Sequence, residues 1–153
     1  MSRRQALPST LALLAAVLVV ASGCAGSSRT ADDYVLKAVN TAEAVRSSVE
    51  TVRLGIEAAE RDRAFLPYLS RLFGDAEEDA GSAAMTFESV QPPDGASDAL
   101  RDELGTLLDA ADDSLSAVRI AIRREDVDAV VARSQELADL SDALEAFITR
   151  NGG

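Results

Sequence analysis

Residues 35–59, VLKAVNTAEAVRSSVETVRLGIEAA, decide the fold. Placing heptad position a at Val35, Ala42, Val49 and Ile56, and d at Ala38, Val45, Val52 and Ala59, makes every seam position apolar, as a helix burying one stripe requires. Between these rows Glu43, Arg46, Glu50, Arg53, Glu57 and Arg61 alternate in sign at spacings of three or four, which supports an exposed charged face. The stretch is therefore a long amphipathic helix, expected from about Ala31 to Arg63. Thr30 stands three residues before Asp33, a capping-box-like start, and Asp32 and Asp33 complement the positive end of the helix dipole.

Moving outward, the same pattern recurs three times. Helix 2 is expected from near Leu66, with Pro67 tolerated in the first turn, where its missing N–H has no intrahelical partner. Its rows are Leu66, Phe73, Ala80, Phe87 and Leu69, Ala76, Ala83, Val90, and Gln91-Pro92-Pro93-Asp94-Gly95 stops it. Asp94 or Ser97 caps helix 3, whose stripe is Leu100, Leu104, Leu107, Leu108, Ala111, Leu115, Val118 and Ile122. Asp126 caps helix 4 after a polar Arg123–Asp126 connection, and the last stripe is Val127, Val130, Val131, Leu137, Leu140, Leu144, Phe147 and Ile148. No strand periodicity is present. Short connections return each helix beside its predecessor, so the expected fold is all-α, an antiparallel up-down-up-down four-helix bundle. A continuous helix kinked at Pro67 through Arg61–Leu66 is the competing arrangement, and it would need a partner to close its core.

The bundle is preceded by a segment of different character. Arg3 and Arg4 form a positive n-region, Leu11 to Ala21 is an unbroken apolar run, and Ser22-Gly23 is a small cleavage point before Cys24, the single cysteine. The run is too short for a bilayer core that takes roughly 20 residues, so a retained span is disfavoured. Ala21-Ser22-Gly23-Cys24 resembles the lipobox of bacterial lipoproteins, in which the Cys becomes the diacylglycerol-linked mature N-terminus. Ala21 stands where that pattern prefers Leu, which leaves open cleavage by a plain secretory peptidase. Ser2-Arg3-Arg4-Gln5-Ala6-Leu7 resembles a degraded twin-arginine signal, with an ordinary basic n-region the simpler reading. What the lipoprotein resemblance implies is a signal peptide over residues 1–23, a lipidated tether over 24–30, and an acidic helical-bundle domain over 31–153 held at the membrane surface through lipid on Cys24. A lone exported thiol is a liability unless it has a task, and acylation is one. The resemblance covers only the first 24 residues and carries no functional residue beyond Cys24.

Charge narrows the partners. Removing Arg3 and Arg4 from 15 basic residues leaves 13 against 26 acidic ones, a net charge of −13 for the mature chain. Such a surface repels phosphate backbones and anionic headgroups, which excludes nucleic acid and disfavours lying flat on lipid. The basic residues are nearly all Arg, with Lys37 alone as lysine, a bias of GC-rich genomes consistent with an actinobacterial source.

Chemistry is sparse. The chain has no histidine, which removes His-based di-iron and zinc sites, c-type haem attachment and His-dependent triads, and leaves Met85 without a partner as an axial haem ligand. Two carboxylate clusters, Asp75/Glu78/Asp79 and Asp109/Asp112/Asp113, have the oxygen chemistry of a hard-cation site, but their heptad positions point outward, so a solvated acidic face is expected. Ser114, Ser134 and Ser141 interrupt the seams; the expectation is that each hydroxyl bonds its own i−4 carbonyl, the alternative being a narrow polar pocket. Phe65 and Tyr68, at the first turn, fit either a bundle-end core or an exposed contact patch. The functional expectation is a non-catalytic helical interaction module, with no cofactor, engaging another envelope protein. The alternative is a bundle holding a small apolar or lipid-like ligand between its helices, and an enzyme is the least supported class.

Overall fold

A computed structural model describes residues 30–61 and 63–153. They form a helical bundle with no strand among the described residues: α1 Ala31–Glu60, α2 Leu66–Glu88, α3 Gly95–Arg123, α4 Val127–Val131 and α5 Ser134–Asn151. The starts follow from local chemistry. Thr30 Oγ1 accepts from the Asp33 N–H, Asp94 Oδ1 from the Ser97 N–H and hydroxyl, and Asp126 Oδ1 from the Ala129 N–H, so three helices open on a side-chain cap. Pro67 sits in the first turn of α2. The chain breaks between Glu60 and Leu66, so α1 and α2 are separate helices rather than one kinked at Pro67.

The expected fourth helix is two. After Val131 the chain relaxes into a turn at Ala132 and Arg133, whose N–H bonds the Val130 carbonyl three residues back, and α5 starts at Ser134. Nothing at Arg133 supplies a side-chain cap. The turn from α3 to α4 places Glu125 at φ 59, a left-handed conformation entered without glycine.

One continuous core runs through the bundle. Ala38, Ala42, Val45, Val49, Val52 and Ile56 of α1 meet Leu69, Phe73, Ala76, Ala80 and Phe87 of α2, and Leu104, Leu108, Ala111, Leu115, Val118 and Ile122 of α3. Val130 and Leu137, Leu140, Leu144, Phe147 complete it. Each of the larger side chains contributes about 1.5–3 kcal/mol by leaving water. At the ends of α1 the expected row shifts: Tyr34 is fully buried while Val35 and Ala59 are only half-buried. Tyr34 wins because its ring packs on Phe87 with centroids 5.3 Å apart, a contact only an aromatic can reach.

Cross-helix contacts fix the neighbours. Tyr34 meets Phe87 while Gly55 faces Phe73; Glu77 pairs with Arg119 while Glu88 meets Arg101; Glu50 meets Ser141 while Arg46 pairs with Glu145. Within each pair of helices, numbers rise on one as they fall on the other. Arg101 donates to the Glu88 and Val90 carbonyls, so α3 satisfies acceptors that the end of α2 leaves open.

Candidate functional site

The expected lipidation residue, Cys24, lies outside the described residues, as do the signal-peptide and tether boundaries apart from Thr30. Among the described residues, no helix is long and apolar enough to cross a membrane.

The serine layer departs from expectation. Ser114 and Ser141 are buried, but neither hydroxyl bonds its own i−4 carbonyl. Ser141 Oγ donates to Glu50 Oε1 across the α1/α5 seam at 2.5 Å, and Ser114 Oγ donates to Glu136 Oε1 across the α3/α5 seam at 2.8 Å. Each carboxylate also takes an arginine from its own helix or the turn before it, Arg53 on Glu50 at 2.5 Å and Arg133 on Glu136 at 2.7 Å. The charge-assisted bond outcompetes the local carbonyl because an ionised acceptor holds a hydroxyl roughly twice as strongly as a neutral one. Ser134 is half-buried and stands apart from this arrangement.

The electrostatics follow from these bonds. The hydrogen bond from Ser141 holds the Glu50 carboxyl below the usual carboxylate range, with Arg53 adding to it. Arg133 lowers Glu136 first, with Ser114 second. A carboxylate so stabilised is a weak base, and the hydroxyl facing it is already committed as a donor. The two bonds fasten α5 to α1 and to α3. The surface depressions are lined by other residues, among them Phe87, Arg101 and Asp109 in one and Arg71, Asp112 and Arg123 in another.

The six residues of the two acidic clusters are exposed. Asp75 is taken by Arg71 at 2.8 Å, and the carboxylate joining α2 to α3 is Glu77, half-buried with Arg119. Among the described residues, no group of three or more carboxylate or thiol side chains converges to hold a metal. Met85 is 66 % exposed. Comparison with family models, with curated proteins and with solved structures finds no match to this chain. The surface of the bundle has a geometry of its own.

That geometry separates the aromatics. Tyr34, Phe73, Phe87 and Phe147 are buried, whereas Phe65 is 85 % and Tyr68 60 % exposed. Phe65 is the N-cap of α2, Pro67 follows in the first turn, and Tyr68 lies three residues on, so the pair stands on a short, proline-stiffened turn. The Tyr34 hydroxyl is buried with no hydrogen-bond partner, and burial pushes its pKa up, with Arg101 acting in the opposite direction. Sequence reasoning placed Glu50 on the exposed charged face of α1, where the structure instead half-buries it against Ser141, and did not name Glu136. A signal existed for Glu136: Ser114 and Glu136 lie eleven residues on either side of Glu125, which puts them level once the chain folds there.

Proposed function

We propose that residues 1–23 direct export, that Cys24 carries lipid, and that residues 31–153 form an acidic, non-catalytic interaction module engaging another envelope protein outside the cytoplasm. The observation that carries the reading is the exposure of Phe65 and Tyr68 at the end of α1 remote from Thr30. Aromatics beside arginine are the residue types enriched in the centres of protein interfaces, and the nearest basic side chains in the chain are Arg61, Arg63 and Arg71. The order of cross-helix contacts supports an up-down-up-down antiparallel arrangement, in which Thr30 and the aromatic turn lie about 45 Å apart at 1.5 Å per residue of α1. The serine–carboxylate bonds favour this module over the ligand-holding bundle, because they fill the seams where a small polar pocket was the alternative.

Native mass spectrometry of the protein extracted gently from its own membranes tests the reading. A chain beginning at Cys24 with added acyl mass and a second protein bound is the expected result. A chain lacking acyl mass refutes the anchor, and a bound small molecule refutes the module in favour of a ligand carrier.

A further inference from the structure

Phe65 and Tyr68 do not stand alone. Gly55 of α1 faces Leu72 and Phe73 of α2; Phe73 is fully buried in the core, so the half-buried Leu72 lies at the outer edge of the α1/α2 seam. Tyr68 and Leu72 stand at i and i+4, and the N-cap Phe65 precedes Tyr68 by three, which makes one stripe along that edge. Across the seam Leu54, one residue before Gly55, is 64 % exposed, and the half-buried Ala58 follows it at i+4. Glu50 and Arg46 reach α5 from the other side of α1, so Leu54 and Ala58 lie on the solvent side between the two neighbouring helices. The five residues form an apolar strip on two ridges, about 10 Å long at 1.5 Å per residue. Beside it Arg61 is paired with Glu57 and Arg71 with Asp75, so these flanks are neutralised within the chain. Asp79, seven residues beyond Leu72 on the same row, is exposed and has no ion pair among the described residues.

We infer that this strip receives one amphipathic helix of the envelope partner. That helix carries an apolar stripe over about two turns, at i, i+3 or i+4 and i+7, and a lysine or arginine about two turns further on that meets Asp79. The inference rests on the proposed interaction module and names what its exposed turn takes hold of. Shape selects a helix: two ridges with the small Gly55 and Ala58 between them leave a seam that a row of side chains from a third helix enters. Area selects a single one. Two aromatic side chains of about 150–250 Å² each and a leucine, all partly covered already, offer on the order of 400 Å², half of the ~800 Å² per partner of a stable complex between globular chains. Charge selects a basic helix and disfavours a second copy, which its own anchor would hold at the same height and so set Asp79 against Asp79. Leu54 lies 24 residues of α1 beyond Thr30, about 36 Å, so the docked helix belongs to a part of the partner outside the lipid.

Photo-cross-linking of the full chain in its own cells tests it. A benzophenone amino acid replaces Leu54, Phe65, Met85 or Leu36 in turn, all exposed and outside the core, and mass spectrometry locates the labelled residues on whatever is captured. The probes at Leu54 and Phe65 should both label one segment of one protein, at residues spaced by three, four or seven, several-fold above the probes at Met85 and Leu36. Asp79→Lys should lower the Leu54 product several-fold, and replacing by glutamate the basic residue that follows the labelled stripe on the partner should restore it. A Phe65 product without a Leu54 product, labelled residues at a spacing of two, no effect of Asp79→Lys, or a loss that the partner's charge reversal does not restore overturns the docked helix and leaves the module standing. A second copy of this chain as the product, or no protein product at Phe65, overturns both.

Discussion

Gly55 and Gly105 are both helical glycines, and replacing each by alanine should move stability in opposite directions. At Gly55 an added Cβ would sit 2.4 Å from Phe73 Cε1, 3.0 Å from Cζ and 3.3 Å from Leu72 Cδ2. Phe73 is fully buried, so its ring cannot swing into solvent and the α1/α2 seam must open instead. Overpacking of this kind costs about 1–3 kcal/mol, while the gain in helix propensity from Gly to Ala returns about 1 kcal/mol. The net for Gly55→Ala is a loss of about 1 kcal/mol, a fall of several degrees in Tm for a domain of this size. At Gly105 nothing lies within 4 Å of the added methyl, so only the propensity term acts and Gly105→Ala gains up to about 1 kcal/mol. Urea unfolding followed by far-ultraviolet circular dichroism measures both. Phe73→Leu in the Gly55→Ala background should recover part of the loss by making room. A Gly55→Ala protein as stable as Gly105→Ala would refute the close α1/α2 approach.

Other substitutions read other contacts. Arg119→Ala strands the half-buried Glu77 and should cost about 1–2 kcal/mol in urea unfolding, between the values for exposed and buried pairs, whereas Arg71→Ala at a solvent-exposed pair should leave the urea midpoint nearly unchanged. Because the Glu50 carboxyl is lowered in the folded chain, its stabilising contribution is present above the ordinary carboxylate pKa and is lost as pH falls through the lowered one. Ser141→Ala removes the main cause, so Glu50 should titrate at higher pH by NMR and acid unfolding should begin earlier; an unchanged Glu50 titration would show that the Ser141 bond is not made. Tyr34→Phe deletes a buried hydroxyl that Arg101 approaches without a well-formed hydrogen bond and should change stability by less than about 1 kcal/mol, and a larger loss in the same assay would mean that Arg101 bonds the hydroxyl in solution.

Helix existence was legible because it depends on local signals. Pro67, the Pro92-Pro93 pair, and Thr30, Asp94 and Asp126 as caps bound the helices close to where sequence alone places them. What was not legible depends on the neighbour across a seam. Heptad counting assigned Val35 to the core because it sees period and polarity; Tyr34, an aromatic that suits a core or bundle-end position, takes that place because a ring on α2 meets it. It likewise treated Ser114 and Ser141 as small fillers, since the carboxylates that hold them stand 22 and 91 residues away in the chain. The interruption at Ala132 and Arg133 carries neither Gly nor Pro, so no breaker residue announces it. The exposure of Phe65 was undecidable from pattern because an aromatic at a helix start fits a bundle end equally well.

Arg101 makes the covalent link between α2 and α3 partly redundant. Its guanidinium spans the gap by gripping two carbonyls at the end of α2, one on each side of Ser89, so side-chain bonds brace the same junction that the Pro92–Pro93 peptide bridges. A break in the backbone at Pro92–Pro93 would then leave two fragments, an α1–α2 hairpin and an α3–α5 unit, each with an apolar face matched to the other. Mixed together, such halves should reassemble into a nicked bundle, which makes this connection the natural place to split the molecule into a two-part reporter.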